Sequence, residues 1–129
     1  MDREFETFRA GANEPIANRM HVTISPAKLI LLNRNLFNKL GKPEAVSLSY
    51  SRKRDIIAVK PISSRLNEAF PVAPTGMSFR INAAPFCRHF NIKIDQTLRF
   101  VAPAIEDEGI LHLDLNQTVS VARTRRRKR

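Results

Sequence analysis

The stretch Leu29–Val59, LILLNRNLFNKLGKPEAVSLSYSRKRDIIAV, decides how the rest of the chain is read. Leu29-Ile30-Leu31-Leu32 is apolar at every position, the pattern of a strand covered on both faces. Asn33 supplies the short side-chain oxygen that a helix N-cap needs. Leu36, Phe37 and Leu40 then recur at helical spacing. Gly41 stands where a helix ends on a left-handed residue, and Pro43 prevents the helix from resuming. Val46, Leu48 and Tyr50 alternate with Ser47 and Ser49, as in a strand with one wet face. Ser51–Asp55 is a charged hairpin tip, and Ile56-Ile57-Ala58-Val59 is the strand that returns from it.

Outward from this stretch the same order of elements recurs. Upstream, Met20, Val22 and Ile24 alternate as a strand, and Ser25-Pro26-Ala27-Lys28 is a turn. Downstream, Pro61–Asn67 reads as a connector. A less regular strand follows at Ala69–Val72, where Pro71 cannot donate to a ladder. Beyond the Thr75-Gly76 turn, Met77, Phe79 and Ile81 alternate. Asn82 stands at a cap, Phe86 and Phe90 repeat at i, i+4, and Asn91 takes the place of Gly41. Leu98 and Phe100 alternate as Leu48 and Tyr50 do. The second tip, Val101–Gly109, is longer and acidic (Glu106, Asp107, Glu108) where the first is basic. Ile110, Leu111 and Leu113 return from it, and Asn116–Ala122 reads as one more short strand. A repeat of this kind governs the fold reading. The expectation is a mainly β protein with two short helices, built from duplicated ββαββ units. Its divisions are an arm at 1–19, a first unit at 20–61, a connector at 62–67, a second unit at 68–115 and a basic tail at 116–129.

The 129 residues are 43% hydrophobic and lack Trp, so the core must come from eight Phe with Leu, Ile and Val. Lys and Arg number 22 against 12 Asp and Glu, a net charge of +10, which favours a polyanionic partner. Six of those cations lie in the last seven residues, and without them the net falls to +4. That tail, Arg123–Arg129, has no apolar residue to anchor it and is expected to be disordered alone. A single cysteine, Cys87, excludes an internal disulfide and fits a reducing compartment. No apolar run approaches the roughly 18 residues of a membrane span. The start MDREFETFRAG has no apolar segment of the kind a secretory signal needs. A cytoplasmic protein without membrane contact is expected.

Leu32-Asn33, Leu36, Leu40-Gly41, Ala45-Val46-Ser47-Leu48 and Ile56-Ile57-Ala58-Val59 together resemble the swapped-hairpin domain of AbrB-type regulators. Two such units in a chain of this length resemble the MraZ branch of that group. The resemblance is closer over 20–60 than over 69–114. It implies an interlaced β-barrel formed by both units, and DNA binding in transcriptional control. It also allows either a monomer, with the barrel closed within one chain, or a homo-oligomer. In the family, an Asp-x-x-Gly-Arg turn enters the second strand and its arginine helps contact DNA. Here the turns are Ser25-Pro26-Ala27-Lys28-Leu29 and Pro74-Thr75-Gly76-Met77-Ser78.

The cations available for nucleic acid are Arg34, Lys39 and Lys42 around the first helix, and Arg80 and Arg88 around the second. Arg52-Lys53-Arg54 form the first tip, and Arg125, Arg126, Arg127, Lys128 and Arg129 the tail. Phosphate contact needs several cations on one surface, and arginine adds a bidentate fork. The tail suits sequence-independent, salt-sensitive attachment. Duplex DNA is the expected partner. The alternative is a non-enzymatic interaction or scaffold protein on the same barrel, without the DNA surface. An enzyme is not expected, nor any metal or cofactor. His21, His89 and His112 are scattered, and one cysteine cannot build a zinc quartet. Cys87 and His89, two apart on a helix, point in different directions. Glu106, Asp107 and Glu108 read as a solvated turn, and four glycines hold no phosphate-cradling motif.

Overall fold

A computed structural model describes residues 19–121. The chain order is β1 (Val22–Ile24), β2 (Leu29–Asn33), α1 (Arg34–Lys39), β3 (Ala45–Ser51), β4 (Ile56–Ile62), β5 (Phe70–Thr75) and β6 (Ser78–Asn82). It continues through α2 (Ala84–Phe90), β7 (Leu98–Phe100), β8 (Ala104–Glu106), β9 (Ile110–Asp114) and β10 (Thr118–Ser120). All strands belong to one sheet, in the order β10-β7-β1-β2-β6-β5-β3-β4-β9-β8. Every neighbouring pair is antiparallel.

The two halves interlock within this ladder. β2 and β6 lie side by side, with Leu31 opposite Arg80. Outside them, β1 pairs with β7 of the second half, and β5 pairs with β3 of the first. Strand β5 hands over from one partner to the next: Val72–Thr75 face β6, whereas Phe70 and Pro71 face β3. Pro71, which has no N–H to donate, sits at that handover.

The core follows from register. Ile24, Ile30 and Ile81 form one lateral row, Val22, Leu32 and Phe79 another, and all are buried. On the far side, Ile57 is opposite Leu113 and Val59 opposite Leu111, all without exposure. Phe100 (2% exposed) is the largest of the fully enclosed side chains. Burying a side chain of this class contributes roughly 1.5–3 kcal/mol.

Both helices stop in the same way. Gly41 (φ 93°) donates its N–H to the Asn38 carbonyl at 3.0 Å, and Lys42 donates to that of Phe37 at 3.0 Å. Fifty residues later, Asn91 (φ 56°) donates to Arg88 at 3.2 Å and Ile92 to Cys87 at 2.8 Å. This double bond onto the last turn is the Schellman motif. Asn33 caps α1 as expected, its Oδ1 accepting from the Leu36 N–H at 3.1 Å.

Six expectations are corrected. The strand Leu29–Leu32 is fully buried on one side only, at Ile30 and Leu32, while Leu29 and Leu31 on its other face are half-buried. Met77 is 79% exposed, because the β5–β6 turn takes it out of the strand. The N-cap of α2 is Ala83; Asn82 instead accepts from the Ala84 N–H at 3.1 Å, one residue earlier. The acidic tip contains a strand of its own, β8, whose partner is β9. Finally, β9 lies against β4, while the place beside β7 is taken by β10, the short strand expected near Asn116–Ala122. The β8–β9 hairpin thus extends one end of the ladder. Among the described residues no pairing joins β8 to β10, so the sheet is open where a closed barrel is expected. The expected arm (apart from Arg19) and the residues from Ala122 onward lie outside the described residues.

Candidate nucleic-acid interface

The basic tip is a braced turn. Asp55 adopts φ 58° and donates its N–H to the Ser51 carbonyl at 2.7 Å, while the Arg54 N–H donates to Ser51 Oγ at 3.2 Å. The Tyr50 hydroxyl donates to Asp55 Oδ1 at 2.5 Å. That bond, with a smaller effect of burial, raises the Tyr50 pKa above its ordinary value. The second half adds support: Asn116 Nδ2 donates to the Arg54 carbonyl at 3.1 Å, and the Leu115 N–H to that of Asp55 at 2.9 Å. The backbone is thus held while Arg52, Lys53 and Arg54 project outward, all exposed.

The tip also rests on α2. The Arg52 guanidinium lies 5.4 Å from the centroid of the Phe90 ring. Phe90 in turn packs on Tyr50 (5.4 Å), Phe86 (5.2 Å) and the edge of His89 (4.6 Å). A guanidinium over an aromatic face contributes about 0.5–1 kcal/mol at an exposed site. More to the point, the contact seats Arg52 on the Phe90 side of α2, while the exposed Arg88, two residues earlier, leaves the helix in a different direction.

The remaining predicted cations sit elsewhere. Arg34 lies 5.6 Å over the ring of Phe79, which Phe37 also stacks on at 3.7 Å. Arg80 follows Phe79 on β6, so its side chain leaves from the opposite face. Lys39 falls in the last turn of α1, where a cation offsets the helix dipole, and Lys42 (φ 55°) completes that helix's C-terminal motif. No contact brings Lys39, Lys42 or Arg88 to Arg52, Lys53 or Arg54 among the described residues. Arg125, Arg126, Arg127, Lys128 and Arg129 lie outside those residues.

Two cations that the sequence did not single out join Arg88. Lys28, in the β1–β2 turn, and Lys93, just after α2, line with it a depression of about 290 Å3 that also includes Asn91 and Asp95. Neither belongs to a run of charge, and only the fold brings the β1–β2 turn to the end of α2. A further group forms where β1 meets β7. Burial, then Arg99, then Arg19 lower the pKa of His21 from its usual value.

Cys87 is buried, and that burial pushes its thiol pKa upward, with Lys28 acting weakly in the other direction. A raised thiol is a poor nucleophile at neutral pH. No three His, Cys, Asp or Glu side chains converge as a metal site among the described residues, and none of their helices is long and apolar enough to cross a membrane.

The chain matches no family model, and no curated protein or solved structure is significantly similar to it.

Proposed function

We propose that this chain binds duplex DNA, as a regulator of the AbrB/MraZ type, through the basic β3–β4 tip and the adjoining helix α2. The observation that carries the reading is the braced tip itself, which holds Arg52, Lys53 and Arg54 exposed, with Arg52 resting on Phe90 of α2. A turn whose backbone is already fixed and that carries three exposed cations suits a phosphate backbone, because the loop itself need not be ordered on contact. Residues 19–121 hold fourteen Lys and Arg against eight Asp and Glu, a net of +6, so the described part is basic without the tail. The pairing of β1 with β7 and of β3 with β5 is what interlaced, duplicated swapped-hairpin units require, and in this reading the β8–β9 hairpin is an insertion in the second unit.

A protein-interaction role on the same scaffold is the competing reading. It is favoured by Lys39 and Lys42, which serve the end of α1 and meet no other cation of the proposed surface among the described residues.

Fluorescence anisotropy with a labelled duplex of about 25 base pairs, across a salt series, separates the two. Removing one cation from a DNA phosphate should reduce the slope of log affinity against log salt by about 0.9. The full-length triple variant Arg52→Ala, Lys53→Ala, Arg54→Ala is expected to bind more weakly, with a slope shallower by about 2, as for two or three such cations. A triple variant that binds as the parent does, slope included, removes the folded surface from the proposal.

A further inference from the structure

We propose that the depression between the β1–β2 turn and the end of α2 binds a phosphoryl group, held by Lys28, Arg88 and Lys93. Lys28 comes from the β1–β2 turn and Arg88 and Lys93 from α2 and the segment after it, and they line one depression because the turn is tied to the second half. The Lys28 carbonyl accepts from the Ala83 N–H at 2.9 Å, one residue before α2 begins. Lys28 itself is left-handed (φ 67°), a backbone region that non-glycine residues rarely occupy. On the other wall, Asn91 turns the chain sharply after Arg88, bringing Lys93 back to the rim.

The chemistry suits an oxyanion. Arg88 offers a planar fork, and Lys93 is an exposed point charge. One of the three ammonium protons of Lys28 is used on the Pro26 carbonyl at 3.2 Å, leaving two. Asp95 also lines the depression, so the charged lining is three cations to one carboxylate. The end of a helix ordinarily repels anions, but here the carbonyls of Cys87 and Arg88 already accept from Ile92 and Asn91. The depression, about 290 Å3 and open to solvent, has room for a diphosphate as well as a monophosphate.

This site does not depend on the basic tip, and the test keeps them apart. Inorganic pyrophosphate is titrated into the full chain by calorimetry at constant ionic strength, with Arg88→Gln, Lys93→Gln and Lys28→Gln as variants. Saturable one-site binding is expected, weakened at least about tenfold by Arg88→Gln or Lys93→Gln, with the thermal midpoint unchanged. The triple tip variant is expected to bind pyrophosphate as the parent does. Arg88→Lys is expected to restore part of the affinity, because charge returns without the fork. Two sources of the phosphoryl group are then distinguished by adding duplex DNA. Competition identifies a backbone phosphate as the natural occupant, and simultaneous binding identifies a free phosphorylated small molecule. Absence of saturable binding, or binding indifferent to both Arg88→Gln and Lys93→Gln, overturns the site.

Discussion

One side chain, Asn33, ties three segments together. Its Oδ1 accepts from the Leu36 N–H at 3.1 Å and from the His21 N–H at 3.1 Å, while its Nδ2 donates to the Arg19 carbonyl at 2.7 Å. Its N-cap role is legible from sequence, because the helix it begins is local. The clasp onto residues 19 and 21 is not, because it depends on β1 folding back beside β2. Asn33→Ala should therefore cost more than a cap alone, about 2–3 kcal/mol against the usual ~1 kcal/mol, measured by chemical denaturation. His21 gives a second expectation. Burial and the neighbouring Arg99 and Arg19 hold its folded pKa below the ordinary 6.5. A depressed value means that the unfolded chain takes up the proton more readily. The contribution of neutral His21 is thus present above about pH 6.5 and is lost as the pH falls through its folded pKa. Thermal midpoints between pH 7.5 and 5 should drop less in His21→Gln than in the parent, and an equal drop would assign the loss to other groups.

The two helix ends solve one problem with two residues. Gly41 and Asn91 both sit at positive φ, fifty positions apart, and donate to equivalent carbonyls of the preceding turn. Glycine reaches that region freely and asparagine tolerates it, whereas the Cβ of alanine crowds its own backbone there. Gly41→Ala is expected to lower stability by about 1 kcal/mol, and Gly41→Asn by clearly less, both read from denaturation midpoints. Equal losses would mean that the position is not held left-handed in solution. These stop signals, with Leu36, Leu40, Phe86 and Phe90, make the strand-helix-strand pattern readable from residue order alone. The acidic tip is less legible for an equally local reason. Ala104-Ile105 is too short to show alternation, and β9, its partner, reads from residue order as the return of the strand before the tip. Similarly, Arg52-Lys53-Arg54 stands out as a run, while Lys28 and Lys93 are single charges that only the fold places beside Arg88.

At the scale of the whole molecule, the ladder leaves few strands of either half with only their own neighbours. Strand β1 leans on β7, β2 on β6, β3 on β5 and β4 on β9. Each of those contacts crosses the exposed stretch Ser63–Glu68, where among the described residues the only backbone–backbone bonds are the local turns Leu66 to Ser63 and Ala69 to Leu66. A chain cut between residues 66 and 67 would therefore yield two fragments, each displaying its share of the Ile24–Ile30–Ile81 row to water. Neither fragment should give a cooperative unfolding transition alone, and mixing them should restore the β-sheet circular dichroism of the uncut protein. A fragment that folds by itself would show that the halves are independent. Once the link is cut, stability must also rise with concentration, as in any bimolecular assembly. The molecule then behaves as an obligate heterodimer whose two subunits happen to be written on one chain.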